Sequence, residues 1–235
     1  MCSNYRPVTR IDRLLTFFGV ERDRDDPPQD VFPLGLAPFI RLRRGGPSRG
    51  DDERIVEDGI FGLLPHFASE IAYGRKSYNA RSETVAALPS FRQAWRTGRR
   101  CIVPAECIFE MNWETGSAVR WRIGQAGDVP LGIAGVYETW SHPDGRRMST
   151  FAMLTVNAEA HPLLGRFPPA GKEARMVVVL HPGDYAEWLS CAVAEAPKFF
   201  RPWAGPLDAA PEPLPPRAPR ASSVRTTKPP DDLFG

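Results

Sequence analysis

Residues 101–113, CIVPAECIFEMNW, form the stretch that decides the fold. Three similar runs follow it: AVRWRIG at 118–124, PLGIAGVYETW at 130–140 and STFAMLTVNAE at 149–159. Short apolar runs with β-branched or alternating residues, separated by Gly, Pro and Asp, are typical of β-strands joined by turns. The centre of the chain is therefore expected to form a sheet.

The stretches on either side of this centre add further strands and a few helices. Residues 36–65 predict two strands joined by a loop rich in Gly, Arg and Asp. Residues 7–20 predict a helix that ends at Gly19, and residues 82–100 predict a helix interrupted by a proline, with Ser90 as its N-cap. Strands and helices do not alternate as βαβ units. We therefore expect an α+β fold, a single domain whose largely antiparallel sheet can close into a barrel.

Composition limits the class of protein. The 235 residues are 42% hydrophobic and 25% charged, as expected for a globular domain. The net charge of +2 does not by itself indicate a nucleic-acid partner. Four cysteines without CxxC spacing and four scattered histidines argue against a zinc site and a disulfide scaffold. With no signal peptide and no apolar run of about 18 residues, we expect a cytoplasmic protein without metal or organic cofactor.

The last part of the chain differs in composition from the rest. We expect a folded domain over residues 1–203 and a Pro-rich tail over 204–235, partly extended along the domain and mostly mobile. The tail ends in DDLFG, where Leu233 and Phe234 are apolar residues beside acidic ones. A solvated terminus is the favoured interpretation. The alternative is a short motif that docks on a replication partner such as a sliding clamp.

The chain begins MCSNYRPVTR, with a cysteine at the second position. Removal of Met1 would leave Cys2 with a free α-amine beside its thiol. Such an aminothiol condenses with aldehydes, because the α-amine pKa of about 7.7–8.0 leaves much of it neutral and the thiol is tethered nearby. The same cysteine could serve as an acyl-transfer nucleophile. The simplest alternative is that the N-terminus is disordered and that Cys2 has no function.

Two other stretches contain residues suited to catalysis or binding. In YNARSET, residues 78–84, Asn79 offers a donor and an acceptor and Arg81 offers a planar fork for phosphate. Ser82 and Glu83 could begin the next helix, and simple capping is the alternative role for this segment. Glu110 lies between Phe109 and Met111 in an apolar strand, where a carboxylate has a raised pKa and can transfer protons. The alternative is that the Glu110 side chain points outward, simply because successive side chains of a strand face opposite sides.

Taken together, these stretches resemble one family. The N-terminal Cys2, GLLPHFA, the long stretch from YNARSET to CIFEMNW, and RMVVVL occur in the order found in the SOS response-associated peptidase (SRAP) family. The resemblance runs from Met1 to about Trp188. It implies that Met1 is lost and that Cys2 captures the opened sugar of an abasic site in single-stranded DNA as a thiazolidine cross-link. It further implies that Asn79 orients the terminus or the sugar, that Glu110 transfers protons, and that the protein acts in the cytoplasm at the nucleoid.

The resemblance also indicates where DNA would bind. Arg81 and Ser82 would hold phosphate beside the lesion, and Phe67 would stack on a base. Two basic clusters are present in the sequence. In RLRRGGPSRG, residues 41–50, a following DDER offsets the charge, so a solvated loop is favoured. The second cluster is the better candidate for following a phosphate backbone; it contains Arg96, Arg99 and Arg100.

One position departs from the family pattern. Aligned without gaps, Pro168 occupies the place of the family's active-site histidine, and proline can neither transfer a proton nor donate a hydrogen bond. His161 is the nearby histidine, and we consider it both as a structural residue and as a replacement. Loss of the histidine would slow formation or release of the cross-link.

Two rival functions remain. A thiol peptidase acting through Cys2 would need a base and an oxyanion hole, and the departure at Pro168 weakens this alternative more than the aldehyde trap. From the peptidase hypothesis we retain only the self-catalysed removal of Met1. The second rival is a family member that binds single-stranded DNA without catalysis. A monomer is the default expectation.

Overall fold

The computed structural model describes residues 2–43, 53–142 and 144–214. These residues contain eleven strands: β1 Asn4–Pro7, β2 Leu36–Leu42, β3 Arg54–Phe61, β4 Asn79–Arg81, β5 Arg100–Asn112, β6 Val119–Gln125, β7 Leu131–Ser141, β8 Arg147–Asn157, β9 Arg175–Val177, β10 Val179–Leu180 and β11 Leu207–Pro211. They also contain three α-helices: α1 Ile11–Phe18, α2 Pro89–Arg96 and α3 Tyr185–Ser190. Within these residues, no helix combines the length and the apolar character needed to cross a membrane.

Strand β5 is the centre of the sheet. Its first half pairs with β7 from Arg100 to Ala105, and its second half pairs with β6 from Ile108 to Asn112. On the side opposite β7, β5 pairs with β2 at Ile102 and with β1 from Ala105 to Phe109. The order β7–β8–β3–β2–β5 is closed by the β5–β7 pairing, so these five strands form a barrel. Most pairs are antiparallel, whereas β3 and β4 run parallel to β8. The predicted α+β fold with a barrel-like, largely antiparallel sheet is confirmed.

Aromatic side chains fill the barrel. Phe151 lies 5.4 Å from Phe39 and 5.6 Å from Phe61, measured between ring centroids, and Tyr5 of β1 contacts Phe61 edge-on at 5.2 Å. All four rings are fully buried. Burial of each such side chain stabilises the fold by about 1.5–3 kcal/mol. The Tyr5 ring thereby ties the first strand to the barrel interior.

The predicted helices are present, with one correction. Helix α1 ends at Gly19, whose φ of +63° gives the left-handed cap that glycine adopts without strain. Helix α2, however, begins at Pro89, and residues 82–88 form turns instead of a helix. Ser90 is therefore the second helical residue and not the N-cap, which is Leu88. Proline suits the first helical position because its missing N–H would have no partner there.

The folded domain extends beyond the expected boundary at residue 203. Residues Leu207–Pro211 form β11, which pairs antiparallel with β6 over its whole length. Beyond β11, the Glu212 carboxylate forms an ion pair with Arg6 at 2.9 Å. The backbone carbonyl of Glu212 accepts a hydrogen bond from Arg120. This stretch is held by backbone pairing, which composition does not reveal. Leu233 and Phe234 lie outside the described residues.

The first basic cluster is neutralised locally where it is described. Arg41 pairs with Glu57 at 2.6 Å across the β2–β3 hairpin, and Arg43 pairs with Glu53 at 2.6 Å. Arg44 and Arg49 lie outside the described residues. The described arginines thus serve the hairpin, in line with the favoured interpretation.

The connection from β3 to β4 turns at Gly62, which positions the segment that leads to Asn79. Gly62 has a φ of +138°, a conformation that only glycine adopts readily. A Cβ at this position would lie 2.5 Å from the carbonyl oxygen of Gly74. Both the dihedral and the close approach therefore require glycine.

We predict that Gly62→Ala lowers the free energy of unfolding by about 2–5 kcal/mol, since it combines backbone strain with a backbone clash. Gly116→Ala is the matched control, because Gly116 has a φ of +80° but nothing within 4 Å of its Cβ position. The control should cost only about 1–2 kcal/mol. Urea midpoints measure both variants, and equal losses would show that the contact with Gly74 does not matter.

Candidate active site

Pairing between β1 and β5 brings the N-terminus to the site. Asn4 lies opposite Phe109, so the residues before Asn4 run beside Glu110. Cys2 is 1% exposed, and its Sγ donates a hydrogen bond to the Asn4 carbonyl at 3.4 Å. Asn79 Nδ2 donates to the Cys2 carbonyl at 2.7 Å. The structure thus brings together the three residues that the sequence predicts for the reaction.

Asn79 retains an unused acceptor at this site. Its Oδ1 is buried and has no hydrogen-bond partner among the described residues. A buried carboxamide oxygen without a partner is costly, so a donor is expected to reach it during function. An amine at the terminus and a sugar hydroxyl are both suitable donors.

A charged cluster holds β1 in place. The Arg120 guanidinium donates to Asn4 Oδ1 from Nε at 2.9 Å and lies 3.3 Å from the centre of the Phe109 ring. It also pairs with Asp30, which in turn pairs with Arg6 at 2.9 Å. Asn4 Nδ2 donates to the Val31 carbonyl at 3.1 Å. The position of Asn4, and with it that of Cys2, is therefore fixed from several directions.

The two reactive groups of the site, the Cys2 thiol and the Glu110 carboxyl group, are removed from water, which disfavours their charged forms. Burial raises the pKa of the Cys2 thiol strongly, and the Glu110 carboxylate nearby raises it further. Burial likewise raises the pKa of the Glu110 carboxyl group. The thiol is thus held in its neutral form, and the Glu110 carboxyl group is shifted toward its protonated form.

A cavity of about 250 Å³ is lined by Glu110 and by Ser3, the residue next to Cys2, but not by Cys2 itself. Its lining includes the charged residues Glu110, Arg120 and Glu173 together with apolar side chains. Two aromatic residues of the lining are exposed, Phe32 at 44% and Trp113 at 39%, and we call this pair the aromatic rim. The cavity combines carboxyl groups with flat apolar surfaces, which is suited to a sugar flanked by a neighbouring base.

Strand β4 presents Asn79 and Arg81, with buried Ala80 between them, because β4 pairs in parallel with β8. The Arg81 side chain is exposed and its Nη1 pairs with Glu173 at 2.8 Å. Ser82 is partly buried in the following turn, and its N–H donates to the Thr155 carbonyl. Arg81 can therefore bind a phosphate only if the phosphate replaces Glu173 as its partner.

Glu173 and Arg175 line the cavity. Arg175 is the first residue of RMVVVL, whereas Glu173 belongs to none of the stretches that carry the resemblance. Arg175 has its side chain buried and pairs with Glu83 at 2.9 Å and with Glu173 at 2.7 Å. The available signal was the spacing of these two residues, since positions two apart face the same way on an extended chain. Nothing in composition distinguishes this glutamate from a solvated one.

The two residues weighed for the missing histidine have different locations. Pro168 lies in the cavity wall. His161 has both ring nitrogens engaged: Nδ1 accepts from the N–H groups of Leu163 and Leu164, and Nε2 contacts the Trp203 carbonyl at 3.1 Å. These contacts favour the structural role of His161 over the catalytic alternative.

The second basic cluster lies away from the site. Arg100 is buried and donates to the carbonyls of Trp188 and Cys191, so its expected role in DNA binding is wrong. Arg99 pairs with Glu138 and is partly buried, whereas Arg96 is exposed on α2. Ten residues of β5 separate Arg100 from Glu110, roughly 33 Å along an extended strand. These arginines do not surround the cavity.

Phe67 is exposed, as stacking on a base would require. Its side chain is 48% exposed and contacts Tyr73 edge-on at 5.8 Å. It is not among the residues that line the cavity. Within the described residues, no group of three or more His, Cys, Asp and Glu side chains is placed to hold a metal ion.

Several proteins are similar in sequence to this chain. The abasic site processing protein YoqW of Bacillus subtilis is 29% identical over 200 residues, which cover 81% of this chain and 80% of YoqW. The abasic site processing protein HMCES of Gallus gallus is 26% identical over 208 residues, covering 75% of this chain and 58% of HMCES.

Solved structures share the fold. A crystal structure of a structural genomics target from Bordetella bronchiseptica matches with a TM-score of 0.81 and 34% identity, covering 91% of this chain and 100% of that chain. A protein from Bacteroides thetaiotaomicron matches with a TM-score of 0.72 at 23% identity, a likeness of fold alone. The family described as SOS response associated peptidase (SRAP) matches residues 1–211. This chain therefore belongs to the SRAP family.

Proposed function

We propose that this protein processes abasic sites in single-stranded DNA and that, once Met1 is removed, Cys2 forms a covalent thiazolidine link to the sugar. Membership of the SRAP family and similarity to proteins named abasic site processing proteins support the DNA substrate. The observation that carries the chemistry is that Cys2 accepts a hydrogen bond from Asn79 and feels the charge of Glu110, which lines the cavity. The protein acts at the nucleoid.

The reaction is a condensation that needs no cofactor. The α-amine of Cys2 adds to the aldehyde carbon of the opened sugar, and the resulting hydroxyl takes up a proton and leaves as water, which gives an iminium ion. The thiol then gives up its proton and its sulfur bonds to the same carbon, closing the five-membered ring. One aldehyde and one aminothiol thus yield one thiazolidine and one water, without oxidation or reduction.

The site favours this order of steps. The thiol is buried with a raised pKa, so it does not compete as a thiolate before the amine has reacted. Ring closure needs an acceptor for the thiol proton, and the neighbouring Glu110 carboxylate provides one. The unpartnered Asn79 Oδ1 is suited to accept a hydrogen bond from the amine and aim it.

The same electrostatics disfavour a general thiol peptidase. Acyl transfer by cysteine depends on a thiolate, which enzymes obtain by lowering the thiol pKa. At Cys2 burial shifts the pKa in the opposite direction. Removal of Met1 is the only peptide cleavage that we retain in the proposal.

DNA reaches the cavity along the Arg81 side and across the aromatic rim. Arg81 is exposed and offers phosphate a planar fork, with Ser82 next to it in the chain. Trp113 stands on the rim of the cavity, and Phe67 is an exposed ring outside it. Stacking of a base on such a ring is typically worth about 1–3 kcal/mol. Arg96 and Arg99 play at most a distant role.

We predict that Cys2→Ala and Cys2→Ser each lower the amount of heat-stable adduct with abasic single-stranded DNA at least ~100-fold, as measured on a denaturing gel. Both variants keep an α-amine after loss of Met1, so borohydride should still trap their Schiff base. A serine hydroxyl is too weak a nucleophile to close a stable ring.

Cys191→Ser is the matched control, because Cys191 is the most exposed cysteine and should leave the adduct unchanged. Heat-stable adducts from Cys2→Ala would show that another residue forms the link. An intact mass that still contains Met1 would explain an inactive wild type.

We predict that Trp113→Ala weakens non-covalent binding of abasic single-stranded DNA about tenfold, measured by fluorescence anisotropy in a Cys2→Ala background. Leu36→Ala removes a side chain that is 62% exposed and does not line this cavity, so binding should not change. Phe67→Ala, measured alongside, tests stacking outside the cavity. If Trp113→Ala and Leu36→Ala bind alike, the rim does not contact DNA.

A further inference from the structure

Two carboxyl groups line the same cavity in contrasting surroundings. Glu110 lies on the apolar strand β5 beside Cys2, whereas Glu173 lies in front of β9 among cationic partners. Paired carboxyl groups in unlike surroundings commonly divide into a proton donor and a proton acceptor. The proposed function gives one use for Glu110 and none for Glu173.

Glu173 is held as an anion by three partners. Its Oε2 accepts from Arg81 Nη1 at 2.8 Å, and its Oε1 accepts from Arg175 Nη1 at 2.7 Å and from Asn157 Nδ2 at 3.3 Å. Hydrogen bonding by Arg175 lowers the pKa of the Glu173 carboxyl group, and Arg81 contributes to the same effect. Lys172, the neighbouring residue in the cavity wall, adds positive charge. Glu83, on the far side of Arg175, is the other carboxylate of this cluster.

The substrate of the proposed function creates a need for such a group. An abasic deoxyribose is mainly a closed hemiacetal, and the closed ring has no aldehyde for an amine to attack. To open it, the hydroxyl on C1 must lose a proton while the ring oxygen gains one, and the bond between C1 and the ring oxygen breaks. Opening is therefore fastest between a base and an acid held on opposite sides of the sugar.

We propose that Glu173 is the base that opens the abasic sugar, acting opposite Glu110 as the acid. This inference rests on the proposed function. Among the described residues that line the cavity, the other charged side chains are Arg120, Lys172 and Arg175, which cannot accept a proton. Pro168 in the same wall offers no proton acceptor either. Glu173 is the carboxylate left for the task once Glu110 is the donor.

The protons balance over the whole reaction. In ring opening Glu110 protonates the ring oxygen and Glu173 takes the proton from the C1 hydroxyl. Glu173 then returns this proton to the hydroxyl that leaves as water when the iminium forms. Glu110 finally takes the thiol proton during ring closure. Both carboxyl groups end in the state in which they began.

The experiment compares two DNA substrates in single turnover at saturating DNA. One carries a natural abasic site, and the other carries an open-chain aldehyde without a hydroxyl placed to close a ring. We expect Glu173→Gln to slow capture of the abasic site at least tenfold, since positioned bases contribute about 10²–10⁴-fold. Capture of the open-chain aldehyde should stay within about twofold of wild type.

Glu83→Gln is the matched control, because it removes the other carboxylate of Arg175 and does not line the cavity. It should leave both rates within about twofold. Glu173→Asp keeps the charge and should recover part of the lost rate on abasic DNA. Urea midpoints verify that all three variants are folded.

Three results would overturn the inference. Equal slowing of both substrates by Glu173→Gln would assign Glu173 to positioning through Arg81 and Arg175. Unchanged capture of abasic DNA would mean that no base at this position is needed. A wild-type protein that captures neither substrate would contradict the proposed function itself. This result differs from the other two, in which the wild-type protein is active.

Discussion

The β1–β5 pairing is the interaction on which the site depends. Asn4 lies opposite Phe109, so the register of one short strand decides that the N-terminus ends beside Glu110. A slip of one residue would turn every side chain of β1 to the opposite face. The register is secured from inside by Tyr5, packed on Phe61, and from outside by the Arg120 guanidinium on Asn4. Barrel closure through β5 and β7 supplies the rigid support for both.

This arrangement has a chemical consequence. A terminus packed against the barrel strand β5 is desolvated, and desolvation favours neutral groups. The Cys2 thiol and the Glu110 carboxyl group both shift toward their protonated forms for this reason. Such a site is poorly suited to hold a thiolate and well suited to pass protons between neutral partners. The contrast with Glu173, kept anionic by arginines, gives the cavity two carboxyl groups of opposite character.

Much of the fold was predictable because it depends on local patterns. The strands around residues 101–159 and the end of α1 at Gly19 follow from alternation and from the conformational freedom of glycine. The strand β11 was not predictable, since it depends on pairing with the distant strand β6. The start of α2 had a local signal, the proline at its first position, which the prediction of a helix from residue 82 did not use.

The site divides in the same way. Cys2, Asn79 and Glu110 carry recognisable chemistry in the sequence, and the structure brings them together. Arg100 and Glu173 show the limit of such reasoning. One is a buried arginine that donates to two backbone carbonyls, and the other is a cavity carboxylate that resembles any surface glutamate in sequence. Charge alone does not tell which way a side chain points.

The central claim is that Cys2, as the mature N-terminus, condenses with an abasic sugar to a thiazolidine. Intact mass spectrometry of the adduct, with peptide mapping, tests it most directly. The account predicts a mass equal to the protein without Met1 plus the DNA minus one water, on the peptide that begins at Cys2, and unchanged by borohydride. An adduct that retains Met1, maps to another residue or requires reduction to survive would contradict it.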